Sequence, residues 1–300
     1  MNYQWYPGHM TKAKRAMQED IRLIDLVIEI LDARAPQSSR NPDIDELAKN
    51  KARLVLMNKA DLADAQQNQA WCAYFREQGI HAAAVNARSG SGLKKIQETI
   101  REACREKIER DRKRGIKNRP VRAMVVGIPN AGKSTFINSL AGKACAKTGD
   151  RPGVTKGKQW IRLNKEVELL DTPGILWPKF EDQMTGLRLA VIGSIREEIL
   201  QPEELALWLI GYLRNAYAGV LGTRYRLAEE GSDLELLSGI AAARGSLQKG
   251  GLPDYPRAAA LLLEDFRSGR LGRVTLEQQM PAISDNKPAG KGLIESGECK

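Results

Sequence analysis

Apolar and polar positions along this chain follow two alternating periods. Short, mostly apolar runs at Leu26 to Leu31, Arg53 to Met57, Ala82 to Val85, Val121 to Val126 and Glu166 to Leu170 read as strands. Between them the spacing turns helical: an amphipathic stretch from about Thr11, then segments around 43–50 and 65–79, and Gly92 to about Arg114. A further helix opens at Phe136-Ile137-Asn138-Ser139-Leu140. Alternation of this kind predicts an α/β domain, a parallel-type sheet with helices on both faces. From residue 186 the pattern changes. Leu205, Trp208, Leu209 and Leu213, then Ala259, Leu262, Leu263 and Phe266, repeat at helical spacing, which predicts a smaller all-helical domain over 186–285. The expected division is an N-terminal arm (1–20), the α/β domain (21–180), the helical domain (186–285) and a polar, disordered tail (286–300).

Composition narrows the class. With 300 residues, 42% of them hydrophobic and 28% charged, the chain suits a globular protein with a sizeable core. No apolar run is long enough for a membrane span, and the polar, aromatic start is unlike a secretory signal, so a cytoplasmic monomer with no membrane partner is expected. Cys72, Cys104, Cys145 and Cys299 are scattered, as reduced thiols would be. The net charge of +10 is concentrated in residues 101–122, which hold ten Lys or Arg against four acids. That stripe reads either as a phosphate-backbone contact or as a solvated linker helix with Glu–Arg pairs one turn apart. The helical region 186–285 carries eleven basic and thirteen acidic residues, so it is not basic as a whole.

The chemistry centres on Gly127-Ile128-Pro129-Asn130-Ala131-Gly132-Lys133-Ser134-Thr135, a G-x-x-x-x-G-K-[ST] loop between a strand and a helix. Its N–H groups, from Asn130 through Thr135, are placed to cradle phosphates; Lys133 reaches the β/γ-phosphates and Ser134 offers a hydroxyl to Mg²⁺. The strand Glu166 to Leu170 ends in Asp171-Thr172-Pro173-Gly174, where Asp171 can hold Mg²⁺ through water and the Gly174 N–H can approach a γ-phosphate. Asn58-Lys59-Ala60-Asp61 follows another strand and resembles the N-K-x-D guanine motif, in which the Asp carboxylate accepts from guanine N1–H and the 2-amino group. Asn86-Ala87-Arg88 takes the place of the short base loop, with the Ala87 N–H offered to guanine O6. Together these predict a GTPase binding GTP and GDP.

Their order is unusual. Guanine motif and base loop precede the phosphate loop and the two switches, which is a circular permutation. In this order, and with Trp5-Tyr6-Pro7-Gly8-His9-Met10 and Asp32-Ala33-Arg34-Ala35-Pro36, the chain resembles the ribosome biogenesis GTPase A (YlqF) family of circularly permuted GTPases over residues 1 to about 285. The resemblance implies GTP hydrolysis coupled to maturation of the large (50S) ribosomal subunit, with rRNA and ribosomal proteins as partners. It also favours Thr155 over Thr148 as the switch threonine that closes on Mg²⁺. Arg34 is open to a salt bridge, a phosphate contact or a place in a purely structural turn.

Hydrolysis needs a group to align water. Many GTPases use a Gln directly after D-x-x-G, and here that position is Ile175. Only His9 and His81 exist as histidines. His81 should lie at the far end of the sheet. For His9 the residues alone favour no catalytic role, whereas the resemblance implies that it positions the water from a mobile arm. Asn130 is either a loop-shaping residue or a ligand for an activating K⁺. The competing function is a regulatory GTPase whose near-neutral helical domain binds a protein partner without RNA; a metabolic ATPase would need no guanine motif.

Overall fold

A computed structural model of the chain describes residues 15–116, 119–142, 145, 159–172, 182–195 and 201–279. Among them, six strands form one sheet in the order β3-β2-β1-β4-β6-β5: β1 Leu26–Asp32, β2 Ala52–Asn58, β3 His81–Ala84, β4 Val121–Gly127, β5 Gln159–Arg162 and β6 Val167–Asp171. All neighbouring pairs are parallel except β5 with β6. Every residue of β1 is buried, as expected of a central strand covered on both faces.

The register explains how the motifs converge. Asp32 lies opposite Asn58, Ile30 opposite Gly127 and Val125 opposite Asp171. Because these strands run the same way, the guanine motif, the phosphate loop and Asp171 all emerge at the carboxyl edge of the sheet, where ligands of open α/β folds bind. The phosphate-loop strand β4 sits beside β1 although nearly a hundred residues separate them in the chain, so the permutation predicted from motif order closes into one continuous sheet.

Helices of the sheet domain are α1 Pro42–Leu47, α2 Ala65–Glu77, α3 Ile96–Ala103, α4 Arg105–Lys113 and α5 Lys133–Ala141. Asp64 caps α2 by accepting from the Gln66 and Gln67 N–H groups. The single helix expected from Gly92 to Arg114 is broken at the buried Cys104, which ends α3 and starts α4. Strand β5 was not foreseen. Only Ile161 of its residues is buried, so at an edge its pattern is too short and too polar to stand out.

Then follow α6 Gln183–Val191, α7 Pro202–Ala216, α8 Val220–Tyr225, α9 Asp233–Ala243 and α10 Tyr255–Arg267. Helix α10 packs on α7 and α9, and Ser232 with Glu235 forms a capping box on α9. Among the described residues, no helix is long and apolar enough to cross a membrane.

After α10 the chain returns to the sheet domain instead of staying with the helices. Val274 N–H donates to Leu62 O (3.0 Å), Leu276 N–H to Arg34 O (2.6 Å), and Trp71 Nε1–H to Glu277 O (3.0 Å). Residues 274–279 thus run beside the guanine loop, although the residue pattern groups them with the helical region.

Candidate nucleotide site

The phosphate loop is held open by its own backbone. Gly132 has φ of +93°, and a Cβ there would collide with the Asn58 amide, so glycine is required on two counts. Gly127 is equally confined, since a Cβ there would collide with Ile30 O. Lys133 opens α5, is buried, and donates to Gly127 O (3.1 Å) and Ile128 O (3.0 Å). Ser134 and Thr135 follow in the first turn, at the end of the helix that favours anions.

Asn58 joins two loops. Its Nδ2 donates to Ala131 O (2.8 Å) and its Oδ1 accepts from Ala87 N–H (2.9 Å), so one amide fixes the base loop to the phosphate loop. The Ala87 N–H is thus directed at Asn58, and a guanine O6 would share it. Asn86 is likewise engaged locally, its Oδ1 accepting from Arg88 and Ser89 N–H. The guanine loop itself is braced by Ala60 N–H to Val85 O (3.1 Å) and by Asn68 Nδ2 to Ala60 O (3.0 Å). Lys59 adopts a left-handed backbone (φ +59°), and Asp61 beside it is exposed.

Asp171 sits at the end of β6, buried, with its Oδ1 lacking any hydrogen-bond partner among the described residues. Burial raises its pKa to about 6 against the pull of Lys133. Burial likewise lowers that of Lys133 to about 8 despite Asp171. In both, desolvation outweighs the mutual attraction, so the pair by itself does not offset the cost of burying its charges. An orphaned carboxylate beside a phosphate loop fits Mg²⁺, which takes few protein ligands when phosphates and water supply the rest. No group of three or more metal-binding side chains converges among the described residues. Asp171 and Ser134 would hold the ion, which supplies charge neutralisation across the β- and γ-phosphates.

The raised pKa has a sign. Between about pH 4 and about 6 the folded protein holds more protons at Asp171 than the unfolded chain does, so this group lowers stability as pH rises through that window. Metal binding needs the carboxylate. Nucleotide affinity in Mg²⁺ is therefore expected to fall about tenfold per pH unit below about pH 6. Titration with a fluorescent nucleotide checks this, and EDTA should flatten the slope.

Two further contacts tie the site to the helical region. Asn130, with φ of +58°, donates from Nδ2 to Gly193 O (2.8 Å), just beyond α6. Arg34 is buried and resolves as an ion-pair residue: it grips Asp32 through Nε (2.9 Å) and Nη2 (2.7 Å), and donates to Arg267 O (3.3 Å). Lys59 Nζ reaches the same carboxylate (2.9 Å), so Asp32 links the guanine loop to the helices. Burial alone would raise the Asp32 pKa, but Arg34 and Lys59 prevail and hold it well below the carboxylate range. Sequence reasoning named neither Asp32 as a hub nor Glu277, which accepts from Gln37 N–H (2.6 Å), from Ser38, and from Arg188 (3.3 Å). The Asp32-x-Arg34 spacing was the available signal for the first; nothing local marks the second. His9, Thr155 and Gly174 lie outside the described residues.

A protein-family model described as 50S ribosome-binding GTPase matches residues 122–211. Ribosome biogenesis GTPase A of Priestia megaterium is 49% identical, with 94% of this chain and 99% of that protein covered. Mitochondrial ribosome-associated GTPase 1 of Mus musculus is 35% identical over 92% of this chain and 90% of its own length. The crystal structure of GNP-bound YlqF from T. maritima is similar at a TM-score of 0.63 and 30% identity, covering 90% of this chain and 99% of that one. A GDP-bound YlqF structure gives 0.66 at 29% identity, covering 88% and 99%. With the phosphate loop, guanine loop and Asp171 gathered on one sheet edge in permuted order, the chain is a GTPase and belongs to the ribosome biogenesis GTPase A (YlqF) family.

Proposed function

We propose that this GTPase assists assembly of the large ribosomal subunit, binding the maturing particle in its GTP form and leaving once the particle has stimulated hydrolysis. The observation that carries this reading is the wiring of the site to the helical region. The phosphate-loop residue Asn130 holds Gly193 O, and the guanine-loop residue Lys59 shares Asp32 with Arg34, which holds Arg267 O. A change at either loop is thus felt by the helices, as a nucleotide-dependent clamp requires. Relatives named as ribosome-associated GTPases support the choice of partner.

In this reading Thr155 closes on Mg²⁺, the Gly174 N–H senses the γ-phosphate, and His9 aligns the attacking water once the subunit orders the arm. Asn130 gives its Nδ2 to Gly193, so its carbonyl oxygen is the end left to face an activating K⁺. The second reading, a switch acting through a protein partner, draws on the near-neutral charge of the helical region.

The test is GTP turnover in potassium buffer, with and without purified large subunits. Stimulation is expected for the parent, and His9→Ala should lose about a hundredfold of the stimulated rate while GTP binding persists. An unstimulated parent would favour the protein-partner reading; a stimulated His9→Ala would remove His9 from the reaction. Replacing K⁺ by Na⁺ addresses the cation.

A further inference from the structure

The edge of the sheet opposite the nucleotide loops carries two open clefts of about 490 and 610 Å³. They share Lys51, Ala52, Ala103 and Glu106, so they form one groove running under the starts of β1, β2 and β3 and along α4. Strand β1 spans seven residues, which at about 3.3 Å each puts this groove about 20 Å from the guanine and phosphate loops. A ligand here would not compete with nucleotide.

The groove's charges divide into a fixed set and a free set. Asp25 and Asp111 are matched by Lys107 (3.0 Å to each) and Arg119, and Asp45 by Arg40 and Arg53. Among the acids that line it, Glu106 alone has no cation partner among the described residues. Against it stand Lys49, Arg110 and Arg114 in the lining, exposed and without an ion pair among the described residues, while Arg105, Arg112 and Lys113 lie on the same helix outside the lining, together with Glu109. Helix α4 has no buried residue, so packing against the core does not account for this run of cations. Of the cations in residues 101–122, Arg101, Lys107, Arg119 and Arg122 make ion pairs, and among the described residues Lys107–Asp111 alone is a pair one turn apart as the solvated-helix reading expects.

We propose that this basic groove is a docking surface for the phosphate backbone of double-stranded RNA. Neither cleft is lined by Phe, Tyr or Trp. A single strand would want aromatic platforms for its bases, and a protein partner would want apolar or aromatic anchors. A-form duplexes are recognised through phosphates and 2′-hydroxyls without base stacking, which is what a row of free cations beside Asn50 and Gln78 offers. The proposal rests on the ribosomal reading only for where such a duplex would be met.

The experiment uses the full chain and a blunt RNA duplex of about 20 base pairs, a length set by the two-groove span of such contacts. Anisotropy is followed across salt for the parent, for R110A/R112A/R114A, and for a control, K249A/R257A/R273A, on the helical region. The α4 variant should bind roughly ten- to a hundredfold more weakly at about 100 mM salt, and its log K against log salt slope should drop by about two to three. The control should match the parent, and both variants should bind a fluorescent GTP analogue normally. An unchanged slope in the α4 variant, a parent that ignores the duplex, or an equal loss in the control would overturn the proposal. So would polyglutamate binding as tightly as RNA and being lost alongside it, which would mark an acidic protein surface as the ligand. Subunit-stimulated turnover of the parent is measured in parallel; its absence would sink the ribosomal reading and leave the duplex result standing.

Discussion

Asp61→Asn is expected to turn the site from guanine to xanthine, with GTP affinity falling at least about a hundredfold and xanthosine triphosphate taking its place. In the proposed role the carboxylate would accept two N–H groups that guanine alone presents side by side. An amide offers a donor where guanine also has a donor, and that mismatch leaves polar groups unpaired in a closed site. Xanthine carries a carbonyl at the same position and accepts from the amide. The substitution should spare the fold. Asp61 is exposed, and the loop is held by backbone and by others: Ala60 N–H on Val85 O (3.1 Å), Leu62 N–H on Lys59 O (2.9 Å) and Asn68 on Ala60 O (3.0 Å). Competition among GTP, XTP and ATP for the parent and the variant reads the outcome. A variant that still prefers GTP would separate Asp61 from base recognition.

How much of this was legible in the sequence follows from how local each signal is. The strand–loop–helix around Lys133 and the strand-end Asp171 are local features, and the sheet register brings them together as expected. The permutation was legible too, because motif order is a property of the chain itself. Contacts made over distance were not. Glu277 meets Gln37 and Ser38 across some 240 residues, with no periodicity to announce it. The same holds for Asn130 on Gly193, where a residue read for a cation proves to bridge two regions. The Asn58 contact on Ala87 was hidden for a different reason: the Ala87 N–H is read by its position in the loop, and Asn58 comes within 2.9 Å of it only once the strands are paired. Arg34 allowed a salt bridge, a phosphate contact or a structural turn, and burial selects the ion pair, since a charge with 1% exposure must be paired.

That burial makes Arg34→Ala the most destabilising change expected at the interface of sheet and helices, about 3–5 kcal/mol. The loss would consume a large share of the roughly 5–15 kcal/mol that holds a domain folded. Three effects combine. The Asp32 carboxylate would keep only Lys59 and the backbone N–H of residue 34 (3.1 Å), the carbonyl of Arg267 would lose its donor (3.3 Å), and the guanidinium now 5.3 Å over the Phe266 ring would leave a void. Denaturant unfolding measures the loss, and pH identifies its source. Asp32 is held below its ordinary value, so its contribution is present above about pH 4 and fades as pH falls toward the folded pKa. The stability gap between parent and variant should therefore narrow in acid; a gap constant with pH would assign it to the void and the lost carbonyl partner. Replacing both partners, as Asp32→Asn with Arg34→Met, should recover part of the stability because no unpaired charge remains buried. It would not restore the link from Lys59 to the helices. If that double variant folds well, binds GTP and still answers poorly to the large subunit, the ion cluster transmits the nucleotide state; full response would leave it a purely structural joint.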